Sequence, residues 1–168
     1  RTKKPFSGSG SQTLQLTTDK ARTKKLLLEN DLPTPAFQVV SSGDVLDPKL
    51  RFPLVVKPVA KDGSVGINGH SVLESAVDVV DQVDFLTKTY QEAALAEEYI
   101  DGRELNATVL GNGSKSTVLP VSEIIFGKSF QGKYKMVNFA AKWEEETTAY
   151  KDTNGVCPAK LDKKTLDD

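Results

Sequence analysis

Two periods of hydrophobic and polar positions run along the chain. Thr17 to Asn30 reads as a helix from its end signals. A threonine at the start, Asp19 in the first turn and Lys24 and Lys25 further along suit a cap and the helix macrodipole, and Asn30 and Pro33 end the segment. Ala36 to Val40, after a Pro-Thr-Pro turn, and Pro53 to Lys57 predict strands. A short strand is expected at Ser71 to Leu73, then a helix from Ser75 to Tyr90. Ser75 and Asp78 form its capping box, and Ala76, Val79, Val80, Val83, Leu86 and Tyr90 form its buried face. Strands are predicted at Ala94 to Ile100 and Glu104 to Leu110, linked by a turn over 101–103, and at Thr117 to Phe126. Gly111 to Ser116 reads as a hairpin turn; its Gly-Ser-Lys-Ser run lacks the spacing of a phosphate loop. Lys133 to Trp143 carries no clear period, Glu144 to Glu146 predicts a solvated loop, and Pro158 to Asp168 opens as a helix. Strand–helix units followed by an antiparallel meander give an α+β fold.

Composition narrows the function. The 168 residues suffice for one moderate domain or two small ones, with 38% hydrophobic and 27% charged residues, the balance of a globular protein. Net charge is −1 and basic residues do not gather beyond the short Arg1 to Lys4 run, which argues against nucleic acid or a membrane surface as partner. Cys157 and His70 each occur singly, so neither a disulfide framework nor a His/Cys zinc site is available, and the expected settings are a packed cysteine and a solvated loop histidine. No apolar run approaches a signal h-region or a membrane span, and a cytoplasmic location is expected.

The stretch Leu54-Val-Val-Lys57-Pro58 carries the chemistry. A lysine ending an apolar strand is costly unless something anionic receives it. Gly63, Gly66 and Gly69 follow at once, and backbone N–H groups in a glycine loop can form an anion-binding concavity to which the Ser64 hydroxyl adds a donor. Taken alone, a surface hairpin with Lys57 snorkelling explains this stretch equally well. Ala94 to Glu104 adds a second element. Its backbone could meet an adenine edge and a carboxylate beyond the turn could accept ribose hydroxyls, whereas the plain alternative is an edge strand with solvated acids.

Together Asp19-Lys20, Val55-Val56-Lys57-Pro58, Gly63-Ser64-Val65-Gly66-Ile67, Glu97 to Glu104 and Val156-Cys157-Pro158-Ala159 resemble the ATP-grasp ligases, and among them the D-alanine–D-alanine ligases. The resemblance implies an ATP-grasp fold of two small α+β subdomains holding nucleotide between them. These are residues 1–93, with the phosphate lid, and residues 94–168, the truncated first part of the second. It implies that Lys20 and Lys57 serve the adenine side and the phosphates, and that Gly63, Ser64, Val65 and Gly66 form the lid. Glu97, Tyr99 and Ile100 would lie in the adenine hinge, and Glu104 would hold the ribose. Lys142, in a loop that closes on the γ-phosphate, and Ser64 are the catalytic residues implied. In the family ATP phosphorylates a carboxylate and an amine then attacks the acylphosphate. The implied ligands are therefore ATP, Mg²⁺, a small carboxylate and an amine.

Three departures qualify the resemblance. The D-alanine ligases read Gly-Ser-Ser-Val-Gly in the lid where this chain reads Asp62-Gly63-Ser64-Val65-Gly66, and Lys-Tyr where it reads Lys142-Trp143. An indole N–H cannot accept a hydrogen bond, so Trp143 does not replace the phenol, and the substrate pair stays open. The family's late Asp and Glu-x-Asn magnesium ligands and its N-terminal substrate domain are not in these residues. The expectation is a central piece of a ligase, inactive alone, with its main metal ligands elsewhere. A homodimeric parent is left open, and a non-catalytic nucleotide-binding or interaction module remains the alternative.

Overall fold

The structure, a computed structural model, describes Lys4 and residues 6–167. The first three residues of the basic run and the last residue of the expected C-terminal helix fall outside them. The chain divides into two compact units, Arg1–Ile100 and Asp101–Asp168. The boundary expected between residues 93 and 94 falls instead after Ile100, because the strand beginning at Ala94 is an inner member of the first unit's sheet.

In the first unit, helices α1 (Ser11–Thr18) and α2 (Lys20–Glu29) replace the single helix expected over 17–30. Asp19 breaks the run: its backbone is extended and its side chain accepts from the Arg22 N–H, making it the N-cap of α2 rather than a first-turn residue. No basic residue lies in the last turn of α2, so the macrodipole does not explain its lysines. Strands β1 (Phe37–Val40), β2 (Leu54–Pro58), β3 (Val72–Leu73) and β4 (Ala94–Glu98) make an antiparallel sheet of order β1-β4-β2-β3, with α3 (Ala76–Tyr90) between β3 and β4. The edge-strand alternative is therefore overturned for residues 94–98, since β4 pairs on both sides, whereas Glu104 begins a strand at the edge of the second sheet.

Period-two alternation gives this sheet two faces. Leu54 and Val56 of β2 and Ala94 and Ala96 of β4 pack with Val79, Val83 and Leu86 of α3 in one cluster. Leu54, Val56, Val79 and Leu86 are fully buried, each contributing about 1.5–3 kcal/mol. The α3 stripe is narrower than expected: Ala76 and Val80 face solvent, as do Val77 and Phe85. The Ser75 cap holds, its hydroxyl accepting from the Asp78 N–H.

The second unit contains β5 (Glu104–Asn106), β6 (Val109–Leu110), β7 (Thr117–Val118), β8 (Ser122–Phe126), α4 (Phe139–Trp143), α5 (Thr148–Lys151), β9 (Thr153–Val156) and α6 (Lys163–Asp167). Strands β5-β8-β9 form one sheet, while β6 and β7 pair separately around the predicted hairpin turn. Two expected strands are thus each divided, and Pro120, lacking an N–H, separates β7 from β8. Glu144 to Glu146 are exposed as expected, whereas Cys157 is exposed rather than packed.

Candidate functional site

The face of the first unit's sheet opposite α3 carries Lys57 and Glu97. Lys57 of β2 and Leu95 and Glu97 of β4 alternate out of the hydrophobic cluster, and the register pairs Val55 with Glu97 and Lys57 with Leu95. Lys57 and Glu97 are consequently diagonal cross-strand neighbours, close enough for long side chains to meet. Lys57 Nζ donates to Glu97 Oε1. The other carboxylate oxygen accepts from Lys24 Nζ at 2.7 Å. Burial pushes the Glu97 carboxyl up, but Lys57 and Lys24 together outweigh it and hold the group below its ordinary value.

Helix α2 supplies the remaining cations. Lys20 and Lys24, four residues apart, project from one face. The Lys20 ammonium donates to the carbonyls of Pro58 (3.0 Å) and Lys61, and its backbone N–H bonds to the Val59 carbonyl at 3.0 Å. Burial first, then the neighbouring Lys57, pulls the Lys20 ammonium below the ordinary lysine value. A cleft of about 310 Å³ is lined by Lys20, Lys24, Thr34, Lys57, Leu95 and Glu97, among others. Three ammonium groups against one carboxylate leave this cleft cationic.

Lys20 also places the glycine loop. Gly63, Ser64 and Gly66 all have φ in the left-handed region, and Ser64 is buried despite being the one non-glycine among them. A Cβ at Gly66 would stand 2.5 Å from Pro58 Cγ and 3.1 Å from Tyr90 Cε2, so only glycine lets the loop lie against β2 and α3. The loop closes as successive turns, with Val65 N–H on the Asp62 carbonyl (3.2 Å) and Ile67 N–H on that of Ser64 (3.0 Å). Gly63 N–H donates to the Asp62 carboxylate at 2.7 Å, so an internal anion already sits at the loop's entrance.

The residues expected in the hinge follow Glu97 along the chain. Glu98 points to the other sheet face, where Arg51 holds it through its backbone N–H (3.0 Å) and guanidinium (2.7 Å). Tyr99 N–H donates to the Pro53 carbonyl at 2.9 Å, and Ile100 is exposed at the end of the unit. In the second unit Glu104 lies on β5, where burial pushes its carboxyl up, partly offset by Lys142 and a backbone hydrogen bond from Val137. Asn138 caps α4 by accepting from Ala141 N–H at 2.9 Å, which sets the turn carrying Lys142 and the exposed Trp143. The structure thus gathers Lys20, Lys57 and Glu97 in one cleft with the glycine loop beside it, and places Glu104 near Lys142 in the other unit. Sequence reasoning missed Lys24 and Thr34. The signal for Lys24 was its helical spacing from Lys20, hidden because a lysine inside a charged helix reads as solvated.

Among the described residues no group of three or more His, Cys, Asp or Glu side chains could hold a metal ion. These residues therefore offer Mg²⁺ no cluster of protein ligands of its own. No helix among the described residues is long and apolar enough to cross a membrane.

Two small α+β units, the first with a cationic cleft beside a glycine loop, define an ATP-grasp fold, and solved ligase structures match it. A D-alanine–D-alanine ligase from Bacillus anthracis superposes with a TM-score of 0.69 at 22% identity, covering 97% of this chain and 48% of that one. The Bacillus anthracis D-alanine–D-alanine ligase complexed with ATP gives a TM-score of 0.60 at 22% identity, covering 86% of this chain and 48% of that one. An L-amino acid ligase from Bacillus licheniformis gives a TM-score of 0.65 at 22% identity, covering 96% of this chain and 33% of that one. In sequence, the chain is 34% identical over 163 residues to the D-alanine–D-alanine ligase of Bordetella pertussis, covering 94% of this chain and 46% of the relative. The chain belongs to the D-ala D-ala ligase C-terminus family, which matches residues 26–168. It spans less than half the length of the curated relatives it matches.

Proposed function

We propose that this chain is the ATP-binding part of an ATP-dependent carboxylate–amine ligase that works through an acylphosphate. The observation that carries the reading is the cleft in which Lys20, Lys24 and Lys57 outnumber Glu97 beside the Gly63–Gly66 loop. A polyanion is the ligand such a cleft stabilises, and a triphosphate is the polyanion a glycine loop can cover. A structural relative complexed with ATP is consistent with this choice.

In this reading Lys57 neutralises phosphate oxygens and Lys20 serves the adenine side, while Gly63, Ser64, Val65 and Gly66 close over the phosphates, trading the Asp62 carboxylate for the ligand. Glu97 accepts the adenine amino group. The Tyr99 N–H is engaged by Pro53, so the backbone contact to the base falls to exposed Ile100, with Tyr99 contributing its side chain. Glu104 takes ribose hydroxyls, Lys142 neutralises charge on the transferring phosphoryl group, and the Ser64 hydroxyl donates a hydrogen bond to it. A substrate carboxylate oxygen attacks the γ-phosphorus and ADP departs. The amine then attacks the acyl carbon, phosphate leaves with the bonding pair, and an amide forms once the nitrogen loses its proton. The protein's share is positioning and charge stabilisation. Gly63 and Trp143, standing where the D-alanine ligases carry hydroxyls, leave the choice of carboxylate and amine to other residues.

Calorimetric titration with ATP and Mg²⁺, beside Lys57→Ala, tests the reading. Saturable binding weakened about tenfold by the substitution, about 1.4 kcal/mol, is the expected result. Absence of binding by the unsubstituted chain would overturn nucleotide binding by these residues and favour a non-catalytic module on the same scaffold.

A further inference from the structure

Glu97 is a carboxylate with two counter-ions, and the two are not held alike. Lys24 is buried, with its side chain 8% exposed. Its ammonium donates to Glu97 Oε2 and to Thr34 Oγ1, both at 2.7 Å, and stands 5.0 Å from the centroid of the Phe37 ring. Two of its three protons have oxygen acceptors and the third side meets an aromatic face, which satisfies an ammonium away from water. Lys57 is more open, with its side chain 19% exposed, and among the described residues its hydrogen bond is to Glu97 Oε1. Lys24 is anchored from a helix, a loop and a strand, whereas Lys57 is tethered by one carboxylate at the edge of the cleft.

We propose that Lys24 is a positioning residue, the fixed counter-ion of Glu97 that frees Lys57 to leave that carboxylate for the phosphates of a bound nucleotide. The inference rests on the nucleotide reading above. Drawing Lys57 toward a phosphate would strand a buried carboxylate if no second cation stood beside it, and an uncompensated buried charge is strongly destabilising. With Lys24 in place the carboxylate stays ionised whichever way Lys57 points. The charged groups acting on Glu97 are Lys57 from β2 and Lys24 from α2, with Lys20 of α2 also coupled to it. Without Lys24, Glu97 would retain Lys57 and release it only on taking up a proton.

Proton uptake is the readout that a purely structural lysine would not move. ATP with Mg²⁺ is titrated calorimetrically into the chain in buffers of different ionisation enthalpy, for the unsubstituted protein, Lys24→Met, Lys24→Gln and Lys24→Arg. Lys24→Gln keeps an N–H donor toward Glu97 and removes only the charge, so it carries the test if Lys24→Met does not fold. The expected result is about tenfold weaker binding in the two neutral variants near pH 8, recovering as pH falls, with uptake of up to about one more proton per ATP than the unsubstituted chain. Lys24→Arg should match the unsubstituted chain in both. Unchanged affinity in the neutral variants would overturn the proposal, as would weaker binding with an unchanged proton count. Should the unsubstituted chain bind no ATP, the nucleotide reading fails and this inference with it; binding there with no Lys24 effect sinks the inference alone.

Discussion

At the scale of single residues, Gly66 shows what the loop tolerates. Its φ of +76° and the 2.5 Å approach of a virtual Cβ to the Pro58 ring act together, one straining the backbone and the other colliding with a rigid side chain of β2. Gly69, three residues on, has open space where a Cβ would stand and no such φ. Gly66→Ala should therefore cost about 1–3 kcal/mol of folding stability and Gly69→Ala close to nothing, as read from urea midpoints on the two variants. Equal effects would mean that the loop does not rest on Pro58. The sequence displayed both glycines as parts of one flexible run, because a glycine's φ and the atoms it excludes belong to the folded state. The same holds for Lys24: its identity and spacing were readable, but its partner Glu97 lies 73 residues away and only the sheet register brings them together.

At the scale of elements, the break at Asp19 decides where Lys20 points. Sequence pattern alone favours one helix through Thr17 to Asn30, and a continuous helix would carry Asp19 as an indifferent first-turn acid. In the structure Asp19 leaves the helical conformation and caps α2, and Lys20, the next residue, bonds through backbone and ammonium to the carbonyls of residues 58–61. Asp19→Ala should cost about 1 kcal/mol in thermal or urea unfolding, the typical loss of an N-cap acceptor. A neutral or stabilising outcome would restore the single helix. Elements whose periodicity is set locally were legible: β2 as a buried strand, the Ser75 cap, and the hairpin around Asn112-Gly113. Those whose limits depend on partners were not. Residues 104–110 and 117–126 each read as one strand, yet each serves two different sheets, and the exposed Val80 fits the helical repeat of α3 as well as buried Val79 and Val83 do.

At the scale of the whole molecule, the fold class and the family were legible because several short motifs occur in order across both units. The position of the division was not, since β4 looks like the start of something new until its pairing with β1 and β2 is known. The two units carry perturbed glutamates of opposite sign, which gives them separable responses to acid. Glu97 in the first unit has its carboxyl held down, so the stability it contributes is complete above the ordinary carboxylate value near 4.3 and is lost only as pH falls through its lower folded value. Glu104 in the second unit is pushed up by burial. Its ionisation therefore weakens the fold as pH rises from the ordinary carboxylate range through its raised value, and acidification across that window strengthens it. Glu98 in the first unit and Glu123, Asp152 and Asp162 in the second are held down like Glu97, so their contributions are constant across the same window. Amide hydrogen exchange followed from about pH 7 to about pH 5, corrected for the intrinsic exchange rates, should show protection rising in strands β5, β8 and β9 while that of β2 and β4 stays level. Glu104→Gln removes the titrating group, and with it the slope in the second unit. A slope that survives Glu104→Gln, or one that appears equally in β2 and β4, would show that burial of Glu104 is not what sets the acid response of the second unit.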